Sequence, residues 1–206
     1  MRTIALAVTL ILSGICSAPA AWALTPGESG LLYQSYAAEA RGDIDGALNR
    51  MISLLNTQTD DYLVNYRLGW LFSRAKKDKN AIDHYEAAAK ASPLSLEPWL
   101  ALSLLHLNLG NHRQALEACA ALLDRDPKNY FGLLRSAAAH QGLKKNSLAL
   151  AVTDQALALY PLDTLFLEKK AYLLRELGKT EESDQVLAKL ILLSPQNPYA
   201  RSVLKR

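Results

Sequence analysis

Proline recurs at a fixed interval in this chain of 206 residues. Each of four prolines lies 34 residues from the next and closes a segment whose apolar residues recur at helical spacing. Two further columns with the same interval hold only small side chains, which indicates that two helices approach closely at two fixed points of each unit. A unit of this length cannot bury its apolar face alone, so a stack of helical hairpins is predicted. The columns are Pro93, Pro127, Pro161 and Pro195; Ala47, Ala81, Ala115, Ala149 and Ser183; and Ser35, Gly69, Ser103, Ala137 and Ala171.

Residues that begin and end helices fall at matching places in these units. Thr25-Pro26-Gly27-Glu28 reads as a capping box with proline at the first helical position. The later first helices are each predicted to have a polar cap, and glycines supply a left-handed turn inside three hairpins. Lys76 and Lys144 occupy that turn position in two units, which predicts either slight strain or another geometry. The predicted caps are Asp61, Ser95, Asn129 and Asp163, and the turn glycines are Gly42, Gly110 and Gly178.

This pattern resembles the tetratricopeptide repeat, whose signature is a W-x2-L-G-x2-Y helix followed by A-x3-F and P. The unit that matches best has Asn65 in place of the tryptophan, and the first unit is the weakest, with Gln34 for leucine and Thr59 for proline. The resemblance implies an all-α fold: a right-handed α-solenoid of five antiparallel helix-turn-helix repeats with a short C-terminal capping helix. The matching residues are Leu68, Gly69, Phe72, Ala81, Tyr85 and Pro93. Repeats one to five are expected at about 28–61, 62–95, 96–129, 130–163 and 164–197, in a domain of residues 24–206 with a tail at 198–206.

In this family the first helices line a concave groove, and the resemblance implies that positions two, five, nine, twelve and thirteen of each repeat face it. Aromatic and leucine side chains dominate these positions, which predicts a surface for a helix or an extended segment of a partner protein. In the alternative, some of these side chains pack between repeats. An error of one residue in the repeat register would rotate a helix by about 100° and turn these positions away from the groove. The predicted groove residues are Tyr36, Leu63, Tyr66, Trp70, Arg74, Leu100, Leu104, Asn108, Phe131, Leu134, Tyr172 and Arg175, with Leu32, Gln141 and Glu168 in the same columns.

One variant of the family grips a C-terminal carboxylate with Lys and Asn at positions five and nine. Aromatic residues and leucines replace both side chains here, so recognition of chaperone tails by such a clamp is not predicted. The residues in question are Leu32 and Tyr36, Tyr66 and Trp70, and Leu100 and Leu104.

The first 23 residues have the pattern of a secretory signal. Arg2 precedes an apolar run at 4–15, and Pro19 precedes the small-residue motif Ala21-Trp22-Ala23. Residues 1–23 are therefore predicted to be a signal peptide that is removed before Leu24, and the protein is expected in the periplasm.

Two other interpretations of the N-terminus stay open. An uncleaved anchor in the inner membrane is possible in length, because no charge lies between Arg2 and Glu28. Lipid attachment at Cys16 would need a small residue where Ile15 stands, and it is therefore disfavoured.

Charge is nearly balanced in the chain that would remain after cleavage. It has 22 basic and 20 acidic residues, which gives no argument for nucleic-acid binding. Basic residues gather in or near the turns inside the hairpins, where acidic residues dilute them, so a solvated edge is predicted, with contact to anionic lipid or an acidic partner as the alternative. These basic residues are Lys76, Lys77, Lys79, His112, Arg113, Lys144, Lys145 and Lys179.

The sequence has no signature of an enzyme, a cofactor site or a metal centre. His106 and His140 share a column and could share a metal, but no third ligand accompanies them, so packed imidazoles are predicted. Cys119 is the only cysteine left after cleavage, and it is predicted to be a core thiol, with a mixed disulfide to a partner as the alternative.

Three functions are compatible with these features. The preferred one is a scaffold or assembly factor for an envelope complex that binds protein or peptide segments of envelope proteins and contacts the membrane at most peripherally. The second is a glycan-binding module of polysaccharide export or the cell wall, which the groove disfavours because few of its residues could fix sugar hydroxyls. The third is a subunit whose active site another chain supplies.

Overall fold

The computed structural model describes residues 24–204, which form eleven helices and no strand. The predicted signal at 1–23 lies outside these residues, as do positions 205 and 206. The helices are α1 (Pro26–Ala40), α2 (Ile44–Leu55), α3 (Tyr62–Arg74), α4 (Asp78–Ala91), α5 (Glu97–Asn108), α6 (His112–Arg125), α7 (Tyr130–Gly142), α8 (Asn146–Leu159), α9 (Thr164–Glu176), α10 (Thr180–Leu193) and α11 (Pro198–Leu204).

The helices α1 to α10 form five hairpins in chain order. The two helices of each hairpin pack on one another, and the second helix of each hairpin packs on the first helix of the next. The helices α5 and α7 also contact each other directly, and α11 covers α10 at the C-terminal end. The predicted α-solenoid of five helical hairpins with a short terminal helix is therefore confirmed.

The two columns of small residues mark the contacts inside the hairpins. All ten of their members are buried. A Cβ atom on Gly69 would lie 2.6 Å from Cδ1 of Tyr85, which is closer than side chains can approach. At the same contact in repeat five, the hydroxyl of Ser183 donates a hydrogen bond of 2.8 Å to the carbonyl of Ala171. The interval in the sequence therefore marks buried contacts between the two helices of each hairpin.

Helix caps agree with the sequence at four of five first helices. Thr25 forms a complete capping box with Glu28, and the caps at the starts of α3, α7 and α9 accept hydrogen bonds from the third residue beyond them. The prediction for Ser95 is wrong: α5 begins at Glu97, and the Ser95 hydroxyl lies 2.8 Å from that of Ser92. The third residue beyond Ser95 is Pro98, which has no N–H to donate.

The turns inside all five hairpins share one backbone geometry. The three turn glycines have φ angles of 73° to 79°, and Lys76 and Lys144 have φ angles of 56° and 57°. Of the two alternatives for these lysines, the strained left-handed turn is therefore the one that the structure adopts. Such a conformation costs roughly 1–2 kcal/mol for a residue with a Cβ atom.

Candidate functional site

The first helices of repeats two, three and four enclose a cleft of about 250 Å³, hereafter the α3–α5–α7 cleft. Its apolar lining is open to a ligand, since Trp70 is 42% exposed and Leu104 is 45% exposed. Glu97 and Arg135 add one charge of each sign. Five of the predicted groove residues meet in this cleft: Tyr66, Trp70, Leu100, Leu104 and Asn108.

Tyr66 forms a rigid wall of the cleft because rings hold it on two sides. Its ring stacks on Tyr62 with centroids 5.9 Å apart and tilts against Tyr85 at 5.7 Å. Burial raises the pKa of the Tyr66 hydroxyl, with a further contribution from the Glu97 charge. Tyr66 therefore combines the two roles that the sequence left open, since it lines the cleft and also packs between helices.

Next to the cleft, a cluster of charged and aromatic side chains joins repeats one and two. The indole N–H of Trp70 donates a hydrogen bond of 2.7 Å to Glu39. Nη2 of Arg67 lies 2.5 Å from the Glu39 carboxylate, and the Arg67 guanidinium lies 4.0 Å from the ring centroid of Tyr36. Arg74 lies 3.7 Å from Glu39 and covers Trp70 at 5.8 Å. This network fixes the orientation of the indole before any ligand binds.

Glu39 is ionised in this cluster. Burial acts to raise the pKa of its carboxyl, but the Trp70 hydrogen bond and the charges of Arg67 and Arg74 outweigh burial and hold the pKa below 4.5. The carboxylate is therefore a permanent acceptor at neutral pH.

Arg135 reaches the opposite side of the α3–α5–α7 cleft from α7. Its Nη1 donates hydrogen bonds to the carbonyl of Leu100 and, at 3.0 Å, to the hydroxyl of Ser103. The guanidinium lies 5.1 Å from the ring centroid of Phe131. Burial lowers the pKa of the Arg135 guanidinium below its ordinary value, although arginine stays protonated. A partly desolvated cation therefore lies at the edge of an apolar cleft.

The remaining predicted groove residues divide between exposed and structural positions. Leu63, Phe131 and Tyr172 are exposed, and Tyr172 lines a second cleft with Glu168 and Gln141. Leu134 packs into the core of repeats four and five. Arg175 forms an ion pair of 3.2 Å with Asp184 inside its own hairpin. A binding role for all twelve residues stays a prediction.

Three cations that join neighbouring repeats were absent from the predicted set. Arg67, Arg135 and Lys169 occupy position six of repeats two, four and five, and each donates to or pairs with a group of the preceding repeat. They lie 68 and 34 residues apart in the sequence, with Ala101 at this position in repeat three. Position six is not among the positions that the family resemblance assigns to the groove, so the resemblance does not predict these cations.

The histidines and the cysteine are packed among other residues. Burial lowers the pKa of both His106 and His140, and neither Nδ1 atom has a hydrogen-bond partner among residues 24–204. Across the same residues, no cluster of three or more His, Cys, Asp or Glu side chains could hold a metal ion. Burial also raises the pKa of the Cys119 thiol to about 11, so the thiol stays protonated at pH 7.

The basic residues of the hairpin turns are exposed, apart from the half-buried His112. Lys77 lies 3.9 Å from Asp45, and Lys179 lies 3.1 Å from Glu182, so acidic neighbours offset part of this charge. In the described part of the chain no helix has the length and apolarity that crossing a membrane requires.

Models of the tetratricopeptide repeat match residues 34–95, 80–130 and 166–197. The sequence matches no curated protein. Among solved structures the chain is similar to the crystal structure of MamA protein, with 12% identity, a TM-score of 0.75 and coverage of 82% of this chain and 92% of that one. It is similar to MamA 41-end from Desulfovibrio magneticus RS-1, with 14% identity, a TM-score of 0.76 and coverage of 85% and 99%. It is also similar to YrrB, described as a TPR protein with an unusual peptide-binding site, with 14% identity, a TM-score of 0.73 and coverage of 85% and 91%.

At these identities the similarity to solved structures is one of fold. The matches to the family models lie in the N-terminal and the C-terminal half of the chain and together cover more than half of its residues. They agree with the hairpins, the buried small columns and the terminal helix. The chain therefore belongs to the tetratricopeptide repeat family.

Proposed function

We propose that this protein is an interaction scaffold that holds a segment of another protein in the α3–α5–α7 cleft. The observation that carries this proposal is the open apolar lining of the cleft, with Trp70 already oriented by Glu39. A fixed aromatic side chain with little entropy left to lose is what binding hot spots are built on. The description of YrrB as a peptide-binding protein supports the same use of the fold.

We further propose that the protein is exported and acts in an envelope complex, as a scaffold or assembly factor that binds segments of envelope proteins. The secretory pattern of residues 1–23 supports export. The Thr25 capping box supports it too, because it uses only residues from Thr25 onward, and cleavage after Ala23 would leave α1 complete. The mass of the protein recovered from the periplasm tests this directly. A chain that retains residues 1–23 would contradict cleavage.

The experiment for the scaffold compares two exposed leucines. Leu104 lies in the cleft, and Leu94 is 86% exposed in the loop after Pro93, away from it. A photo-crosslinking amino acid at position 104 is expected to capture a defined partner chain in cells, and one at position 94 is not. Trp70→Ala, checked for folding by circular dichroism, is expected to abolish the crosslink from position 104. Equal crosslinking at both positions, or none at 104, would contradict the scaffold.

The glycan-binding alternative requires aromatic faces that are free to stack on sugar rings. Arg67 covers one face of Tyr36, and Arg74 covers one face of Trp70. Soluble cell-wall fragments are therefore expected to leave the melting temperature unchanged, and a saturable increase in it would favour the glycan module instead. We propose no catalytic activity for the chain itself.

A further inference from the structure

Arg135 differs from the other two cations at position six because no acid among residues 24–204 pairs with it. Arg67 is paired with Glu39, and Lys169 lies beside Glu168 and within 3.2 Å of Gln141. Among the described residues, Arg135 is in none of the ion pairs. Burial of a cation without a counter-charge costs desolvation free energy that no attraction offsets. A ligand of opposite charge could supply that attraction.

The guanidinium of Arg135 also has an unused edge. Nη1 is occupied by Leu100 and Ser103, and the Phe131 ring lies beside the plane. Nε and Nη2 bond to no residue between 24 and 204, and both keep some solvent-accessible surface in a side chain that lines the cleft. These two donors form the side of the fork that matches the two oxygens of a carboxylate.

We propose that the segment bound in the α3–α5–α7 cleft carries an aspartate or glutamate whose carboxylate binds Nε and Nη2 of Arg135. This inference rests on the proposed function. Apolar side chains on either side of the acid would lie against Trp70 and Leu104, which are exposed apolar residues of the cleft lining. Positions five and nine of repeat three are Leu100 and Leu104, so this cleft has no Lys and Asn clamp. The guanidinium of Arg135 alone binds the carboxylate.

Glu97 sets the direction in which such a segment lies. It lines the same cleft and accepts a hydrogen bond of 3.2 Å from the Tyr62 hydroxyl. A second acid near Glu97 would be repelled. The acid therefore faces α7, and a neutral or basic residue faces the Tyr62 side.

The test begins with a library of short random peptides displayed against the full chain. Peptides that bind wild type and fail to bind Trp70→Ala are synthesised with amidated C-termini, so that side chains supply their only carboxylates. Each is also made with the acid changed to its amide. Affinities are measured for wild type, for Arg135→Gln and for Arg113→Gln, which removes an exposed arginine outside the cleft. Circular dichroism confirms that each variant is folded.

The expected result is that selected peptides share an acid between apolar residues, and that the amide version binds wild type about tenfold more weakly. With Arg135→Gln this difference is expected to fall below about twofold, whereas Arg113→Gln keeps it. Where Arg135→Gln does not fold, Arg135→Lys replaces it. Lysine keeps the charge without the two-pronged edge, so the difference should shrink but persist.

Two results would overturn the inference, and they differ in what else they overturn. Trp70-dependent peptides that lack an acid, or an amide penalty that Arg135 variants leave unchanged, would refute acid recognition while the scaffold stands. A library that yields no Trp70-dependent peptide would refute the scaffold and the acid recognition together.

Discussion

Glu39→Gln tests whether the charge cluster between repeats one and two stabilises the solenoid. The side chain of Arg67 is 8% exposed and that of Glu39 is 17% exposed. Nε of Arg67 makes no hydrogen bond to a described residue, and Nη2 lies 2.5 Å from the Glu39 carboxylate, so the Glu39 charge is the main compensation for this buried cation. Removal of one member of a buried ion pair costs about 3–5 kcal/mol. The partial exposure of Glu39 and the contact of Arg67 with Tyr36 reduce the expected loss to about 2–3 kcal/mol.

The substitution isolates charge because glutamine keeps an oxygen that can accept the Trp70 hydrogen bond. The measurement is urea unfolding followed by circular dichroism at pH 7, with hydrogen exchange to locate the loss. Since repeats couple only to their neighbours, exchange should increase first in α1 to α3. Asp124→Asn, an exposed acid on α6, is the matched control. A loss for Glu39→Gln of less than about 0.5 kcal/mol, equal to that of the control, would show that the pair behaves as a surface salt bridge.

Three further changes test other parts of the fold. Lys144→Gly is expected to raise stability by about 0.5–1 kcal/mol in urea unfolding, because glycine removes the left-handed strain but loses entropy on folding; a decrease would contradict the strain. Gly69→Val is expected to cost about 2–3 kcal/mol, because its side chain would overlap the Tyr85 ring; an unchanged urea midpoint would refute close approach. Burial lowers the pKa of His106 and His140 below the ordinary value of 6.5, so the unfolded chain binds more protons and stability should fall as pH drops through 6.5. A urea midpoint that rises between pH 7 and pH 5 would contradict this sign.

The fold could be predicted because each repeat requires a small side chain at the same positions, where two helices are in close contact. A small residue at a single position, such as Gly69, has many explanations. Five small residues at one interval have few explanations, and close contact between helices is the main one, because it admits only small side chains. The error at Ser95 has the opposite origin. Position alone suggested a cap, but the cap depends on a donor three residues later, and Pro98 removes that donor.

The site was predicted less completely than the fold, because binding surfaces are defined by groups from different repeats. Trp70 and Leu104 could be expected in one groove from their columns. The hydrogen bond between Trp70 and Glu39 could not, since it joins residues 31 positions apart whose side-chain directions depend on how two repeats stack. Arg135 likewise looks like any surface arginine in the sequence. Only the structure shows that it contacts Ser103 and Phe131 and that it pairs with no acid in the described part of the chain.

The two arginines at position six divide stability from recognition. Arg67 pairs with Glu39 of repeat one, and this pair joins the two repeats. Glu39 also accepts the hydrogen bond that orients Trp70. Arg135 binds the backbone of repeat three with one nitrogen, and its other two nitrogens bond to no described residue. A carboxylate ligand would therefore do for repeats three and four what Glu39 does for repeats one and two, and binding should stabilise that junction most. Peptide-induced protection in hydrogen exchange is accordingly expected to be largest in α5 and α7, and protection centred on α1 and α2 would place the ligand elsewhere.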